Sequence, residues 1–238
     1  MTSRPPVTGD SPPAAEAAAP GAIAPDADAH VLPPPGAAAV FGSALGGAEA
    51  FARILATRGV EQGLIGPHEV PRLWDRHLLN CAVVAELIDG GPETLVDIGS
   101  GAGLPGIVLA MVRPELHVTL LEPMERRSRF LSECVAELGL ANASVLRGRA
   151  EDVGLRADVA TARAVAPLDR LAELAVGVVR PGGMVLAIKG RTAADELKKA
   201  RQVLRRVGAR DAEVVRAGQG KVIPATTVVR FFARCGGA

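Results

Sequence analysis

The sequence predicts an α/β protein built on a mainly parallel sheet, and three observations carry the prediction. From Pro92 onward a pattern of strand, glycine turn and helix recurs several times. The first of these strands runs straight into a cluster of glycines. The last two alternating apolar stretches have no helical segment between them, which predicts an antiparallel hairpin at one sheet edge. The composition agrees, since 48% hydrophobic and 22% charged residues over 238 positions is globular usage, enough for a sizeable core. No uninterrupted apolar run approaches the ~18–20 residues of a membrane span, so no membrane role is expected.

The elements follow in order. Residues 1–47 hold 13 Ala, 9 Pro and 6 Gly with Arg4 as their one basic residue, and the prolines remove backbone donors, so this stretch is expected to be a disordered tail. From Glu49 a helical spacing of Phe51, Ile54 and Leu55 leads to Gly59 as a C-terminal stop. A second helical stretch follows Pro71, with Leu73, Trp74, His77, Leu78, Cys81, Val84 and Ile88 as its inner stripe, and ends at Gly90-Gly91-Pro92. Residues 48–91 thus form a helical N-terminal subdomain, and 92–238 the sheet domain. Strands are predicted at 94–98, 117–122, 143–147, 158–162, 183–188, 212–217 and 226–233, with helices at 104–113, 125–139, 167–179 and 193–207.

Charge and cysteine bound the environment. Arg4 against Asp10, Glu16, Asp26 and Asp28 leaves the first 47 residues at −3, so the remainder carries +4 of the net +1. The total alone gives no sign of a nucleic-acid binder, but it sums dissimilar parts. Cys81, Cys134 and Cys235 fit neither a disulfide framework nor a CxxC metal pair, and the N-terminus lacks a basic start and an apolar run, so a cytoplasmic protein without a metal is expected. The 23 Arg against 4 Lys are read as codon bias.

The most informative stretch is Asp97-Ile98-Gly99-Ser100-Gly101-Ala102-Gly103-Leu104-Pro105-Gly106, followed by the apolar Ile107–Met111. Gly99, Gly101 and Gly103 permit a tight turn and let a ligand lie against bare peptide at the sheet's carboxyl edge. Glu122 ends the second strand 19 positions after Gly103, where a carboxylate can accept both hydroxyls of a ribose. NAD and S-adenosyl-L-methionine both satisfy this pattern. Asp97 before the glycines, the GxGxG spacing and the terminal hairpin favour S-adenosyl-L-methionine, and the lack of a following Lys-Ser/Thr excludes a Walker loop.

With the turn placed, the strings LVDIGSGAGLPGIVLA, LLEPMERRSRFL, GRAED and TARAVAPL, flanked by LWDRHLLN and IKG, resemble the RsmG (GidB) family of bacterial 16S rRNA guanine-N7 methyltransferases over about residues 49–233. The terminal GKVIPATTVVR is similar to an actinobacterial variant. The resemblance implies the class I S-adenosylmethionine-dependent methyltransferase fold, a Rossmann-like sheet of seven strands, and methylation of N7 of a guanine in the 530 loop. It places donor contacts at Gly99, Leu104, Ala150, Glu151 and Arg163, with Leu104 packing where relatives often carry an aromatic residue. The ribose role of Glu122 is inferred from its spacing.

Arg163, at the end of the fourth strand, is also the candidate for positioning the target base. Taken alone, it could equally be a structural ion-pair partner, and Glu151 a turn cap. Phosphate contacts are expected from Arg126, Arg127, Arg147, Arg149, Lys189 and Arg191, with Arg129 beside them. Lys198, Lys199, Arg201, Arg205 and Arg206 read as a solvated helix face, Trp74 as a core aromatic, His77 as a satisfied helix histidine, with His77 or neighbouring Arg76 facing RNA as the alternative, and Cys134 as a buried thiol. The expected partner is 16S rRNA or the small ribosomal subunit, and the expected state a monomer. A small-molecule methyltransferase or NAD-dependent oxidoreductase on the same sheet, and a non-catalytic RNA-binding assembly module, are the alternatives.

Overall fold

The computed structural model describes Met1 and residues 31–91 and 93–234. Seven strands form one sheet in the order β3-β2-β1-β4-β5-β7-β6. They are β1 Thr94–Ile98, β2 His117–Glu122, β3 Ala143–Arg147, β4 Ala157–Arg163, β5 Val179–Lys189, β6 Arg210–Ala217 and β7 Thr226–Phe232. The first five pair in parallel, and β7 runs antiparallel between β5 and β6. The predicted edge hairpin is therefore present, with β6 outermost.

Helices cover both faces. The first three, α1 Ala37–Phe41, α2 Leu45–Ile54 and α3 Leu79–Ala82, belong to the N-terminal part, followed by α4 Gly106–Val112, α5 Glu125–Glu137, α6 Leu168–Val178 and α7 Ala193–Arg206. Strand side chains alternate between faces. Leu95, Val118, Leu120, Val159 and Leu186 pack with the N-terminal helices, α4 and α5, while Val96, Ile98, Ala160, Ala162, Val185 and Ala187 pack with α6 and α7. This alternation decides which side of the sheet each site residue faces.

The expectation of a disordered tail fails over residues 31–47. Residues 31–47 are folded: Val31 and Phe41 are buried, Trp74 Nε1 donates to the Val31 carbonyl at 2.7 Å, and Phe41 meets the Trp74 ring edge-on at 5.8 Å. Averaging composition over 47 positions concealed two large apolar side chains and a complete short helix. Residues 2–30 lie outside the described residues. The helical stop also moves: the chain continues through a π-turn at Leu55–Gly59, and Gly63, at φ +65°, terminates it, its N–H donating to the Val60 carbonyl at 2.9 Å.

The stripe predicted after Pro71 is buried at every position. Its helix is irregular, passing from a 3₁₀ turn at Pro67–Arg72 through a π-turn at Leu73–Leu78 into α3 and a further 3₁₀ turn at Val83–Leu87. The stretch 37–59 is long and apolar enough to cross a membrane by length and mean composition, although Glu49, Arg53 and Arg58 interrupt it, so it is not the uninterrupted apolar run whose absence was expected. Here Ala48, Phe51, Ala52, Ile54 and Leu55 are buried in the core.

Candidate active site at the carboxyl edge of the sheet

The turn after β1 is built around two buried carboxylates. Asp97 accepts from the Gly106 N–H through Oδ2 at 3.0 Å, tying the strand to the start of α4. A side chain on Gly106 would meet Leu120 at 2.3 Å and Asp97 Oδ2 at 2.7 Å, so this approach requires glycine. Asp97 Oδ1 is buried and has no hydrogen-bond partner among the described residues. Burial pushes this carboxyl up to about 7, opposed by the Gly106 and Ser100 hydrogen bonds, with Glu122 adding repulsion and Arg163 attraction. An unpaired buried acid beside a ligand cleft is a functional-site signature.

Glu122, only 2% exposed, accepts from the Gly101 N–H through Oε2 and from the Met124 N–H through Oε1, both at 3.0 Å. It locks the glycine turn to the end of β2, and each oxygen keeps a second lone pair. Gly103 sits at φ +89°, and a Cβ there would meet Ile107 at 2.5 Å. That position is glycine for conformation and for space alike.

Beside this turn lies a cavity of about 380 Å³, a size suited to a small ligand. Gly99, Glu122, Gly148, Ala150, Glu151 and Val165 are among its walls. Ala150 is buried, which leaves room for a ring, and the exposed Met124 and Val165 also line the cavity. Val165 takes its place because Ala164 adopts a left-handed φ of +55°, turning the chain back over Gly99. A Cβ on Gly99 would lie 2.9 Å from Val165 Cγ2.

Donor-side candidates divide into two groups. Gly99, Glu122, Ala150 and Glu151 line the cavity together, and Glu151 also forms an ion pair with Arg170 of α6. Gly101, Gly103, Leu104 and Arg163 do not line it. Leu104 is buried in the core shared with the N-terminal helices. Gly101 acts through the N–H that binds Glu122.

Arg163 faces the N-terminal subdomain because it shares a strand face with Val159 and Thr161. Its Nη2 donates to His77 Nδ1 at 2.5 Å and its Nη1 contacts Cys81 Sγ at 3.5 Å, while His77 Nε2 lies 2.8 Å from Glu69 Oε2. Desolvation and the Arg163 charge push His77 down to about 4, so it is neutral at neutral pH. Burial pushes the Cys81 thiol up, so it stays protonated. His77 is satisfied, as expected, through both ring nitrogens, and the same two bonds make it the bridge between the N-terminal subdomain and Arg163.

Among the cations, Arg126, Arg149 and Arg191 are exposed and make no ion pair among the described residues. Arg147 is exposed but pairs with Glu125 at 3.2 Å. Arg127 is half-buried at the cavity with its Nε unpartnered. Lys189 departs from the expectation of a phosphate contact. Sharing a face with Val185 and Ala187, it turns toward α7, where its Nζ reaches Glu196 at 2.8 Å and the Ala166 carbonyl at 2.9 Å with the side chain 9% exposed. Sequence reading missed Met124, Ala164 and Val165 as site residues. The TARAVAPL string contains two of them but carries no sign of the backbone reversal.

Comparison with known proteins agrees with this geometry. The family model GidB, described as rRNA small subunit methyltransferase G, matches residues 45–223. A ribosomal RNA small subunit methyltransferase G of Thermobifida fusca is 57% identical over 203 residues, covering 84% of this chain and 85% of the relative. The proteins of the same name from Mycolicibacterium gilvum and Streptomyces avermitilis are 53% and 54% identical, over 86% and 80% of this chain and 92% and 81% of theirs. Among solved structures, an Aquifex aeolicus SAM-dependent methyltransferase superposes with a TM-score of 0.51 at 21% identity, over 71% of this chain and 99% of that one. The apo S-adenosylmethionine-dependent methyltransferase SibL gives 0.56 at 19%, over 78% and 62%. The fold is that of class I methyltransferases, and the chain belongs to the GidB family of small-subunit rRNA methyltransferases.

Proposed function

We propose that the protein transfers a methyl group from S-adenosyl-L-methionine to N7 of a guanine in the 530 loop of 16S rRNA. The observation that supports it most is the pairing of Glu122 with the glycine turn beside a cavity of about 380 Å³, in a chain of this family. The residues fit the donor. Glu122 offers free lone pairs to ribose hydroxyls, Ala150 leaves room for the adenine ring, and Glu151 can accept from its amino group. The unpartnered Asp97 Oδ1 and the glycine backbone suit the amino acid end. NAD chemistry is set aside on family membership, and a relic assembly module does not explain a cavity with these walls.

S-adenosyl-L-methionine supplies an electrophilic sulfonium methyl: the N7–CH₃ bond forms as the S–CH₃ pair returns to sulfur. Guanine N7 has an in-plane lone pair and no proton, so the chain needs neither a general base nor a covalent intermediate. Its contribution is alignment and exclusion of water, which can supply several kcal/mol of a barrier. Arg163 lies outside the walls of the cavity, but its charge acts on Asp97 at the glycine turn; there it serves the amino acid end of the donor and also positions the base. The exposed Arg126, Arg149 and Arg191 hold phosphates, and the enzyme acts in the cytoplasm as a monomer without a metal. Titration calorimetry tests the donor assignment: S-adenosylhomocysteine should bind and NAD should not. Tight NAD binding with no response to S-adenosylhomocysteine would overturn the reading.

A further inference from the structure

We propose that His77 is a positioning residue that holds Arg163 through a neutral acceptor and so leaves the guanidinium charge available to a bound ligand. The inference rests on the reading above that Arg163 serves the donor site. Arg163 is half-buried and makes no ion pair among the described residues, and its partners are a neutral imidazole and a protonated thiol. A guanidinium only donates, so His77 Nδ1 accepts. The His77 hydrogen therefore sits on Nε2 and is donated to Glu69 Oε2 at 2.8 Å.

Glu69 is in turn shared with Arg76 at 3.2 Å. The carboxylate thus orients the ring while the ring keeps it one residue away from Arg163. A carboxylate in direct contact would hold Arg163 equally well and neutralise it. Two of the five guanidinium N–H groups are engaged, and the remaining three can serve an anionic or carbonyl group of a ligand.

The near-isosteric pair His77→Asn and His77→Asp separates orientation from neutrality, with His77→Ala removing both. In each full-length variant, S-adenosylhomocysteine affinity is measured by calorimetry alongside the melting temperature. The Asn variant, whose Oδ1 replaces Nδ1 as acceptor, is expected to stay within about threefold of wild type, and Asp and Ala to weaken binding by about tenfold or more. Equal affinity of Asp and Asn, loss in Asn as great as in Ala, or losses that merely follow the melting temperatures would overturn the positioning role. Wild-type protein that binds no S-adenosylhomocysteine would instead remove the functional reading on which it rests.

Discussion

Glu122→Gln is the perturbation whose consequence is read most directly from the site. The carboxylate accepts one backbone N–H on each oxygen, from Gly101 and Met124, both at 3.0 Å. An amide can accept at only one of those positions, and its NH₂ faces the other N–H. One buried donor is therefore left unpaired, at about 1–3 kcal/mol. For a domain of this size each kcal/mol lowers the melting temperature by about 2–4 °C, so a fall of roughly 2–12 °C is expected. The ligand loses one charged acceptor for a ribose hydroxyl, worth about 1.5–3 kcal/mol or roughly 10–150-fold in affinity. Calorimetric titration with S-adenosylhomocysteine and a melting curve read both numbers. A dissociation constant within about threefold of wild type, in a variant whose melting temperature has fallen, would refute the ribose role while leaving the turn-locking role in place.

Other outcomes follow from the same geometry. Arg126→Ala and Arg191→Ala, neither of which lines the donor cavity, should each weaken rRNA binding and reduce the salt slope by about one while leaving S-adenosylhomocysteine affinity unchanged, whereas Lys189→Ala should lower the melting temperature without altering the slope. Asp97, raised in the folded state to about 7 from 3.8, retains a proton that the unfolded chain releases between those values. Its contribution to stability is complete below the lower value and is lost as pH rises through the upper, so wild type should lose stability relative to Asp97→Asn across that window in denaturant titrations. Trp74→Phe removes the bond to the Val31 carbonyl and should cost about 1 kcal/mol. Deleting residues 2–30, which carry Arg4 against four acids, should not weaken rRNA binding and should strengthen it at low salt, while a cut at residue 47 should destabilise the fold through loss of Val31 and Phe41.

The sheet was legible because its signals are local. The short apolar run Leu95-Val96-Asp97-Ile98 and the glycines after it mark a strand and turn whatever packs above them, and the missing helix between β6 and β7 exposes the antiparallel edge. The Glu122 spacing read through for the same reason, since both ends of that contact lie at the ends of adjacent parallel strands. What stayed hidden depends on partners distant in sequence. Val31 and Phe41 become structural through Trp74, and Arg163 acquires its role through His77, 86 positions away. Lys189 looked like its neighbour Arg191 until strand parity set it against α7. Ala164 carries no compositional mark of its left-handed backbone, because alanine enters that region only at a cost and its presence does not signal it.

The central claim concerns one atom of one base, and mass spectrometry of small-subunit rRNA from cells with and without the gene tests it. The account predicts that N7-methylguanosine in the 530-loop fragment disappears when the gene is removed and returns with the wild-type chain. An unchanged N7-methylguanosine content, or loss of a methyl group from a different atom, would contradict it.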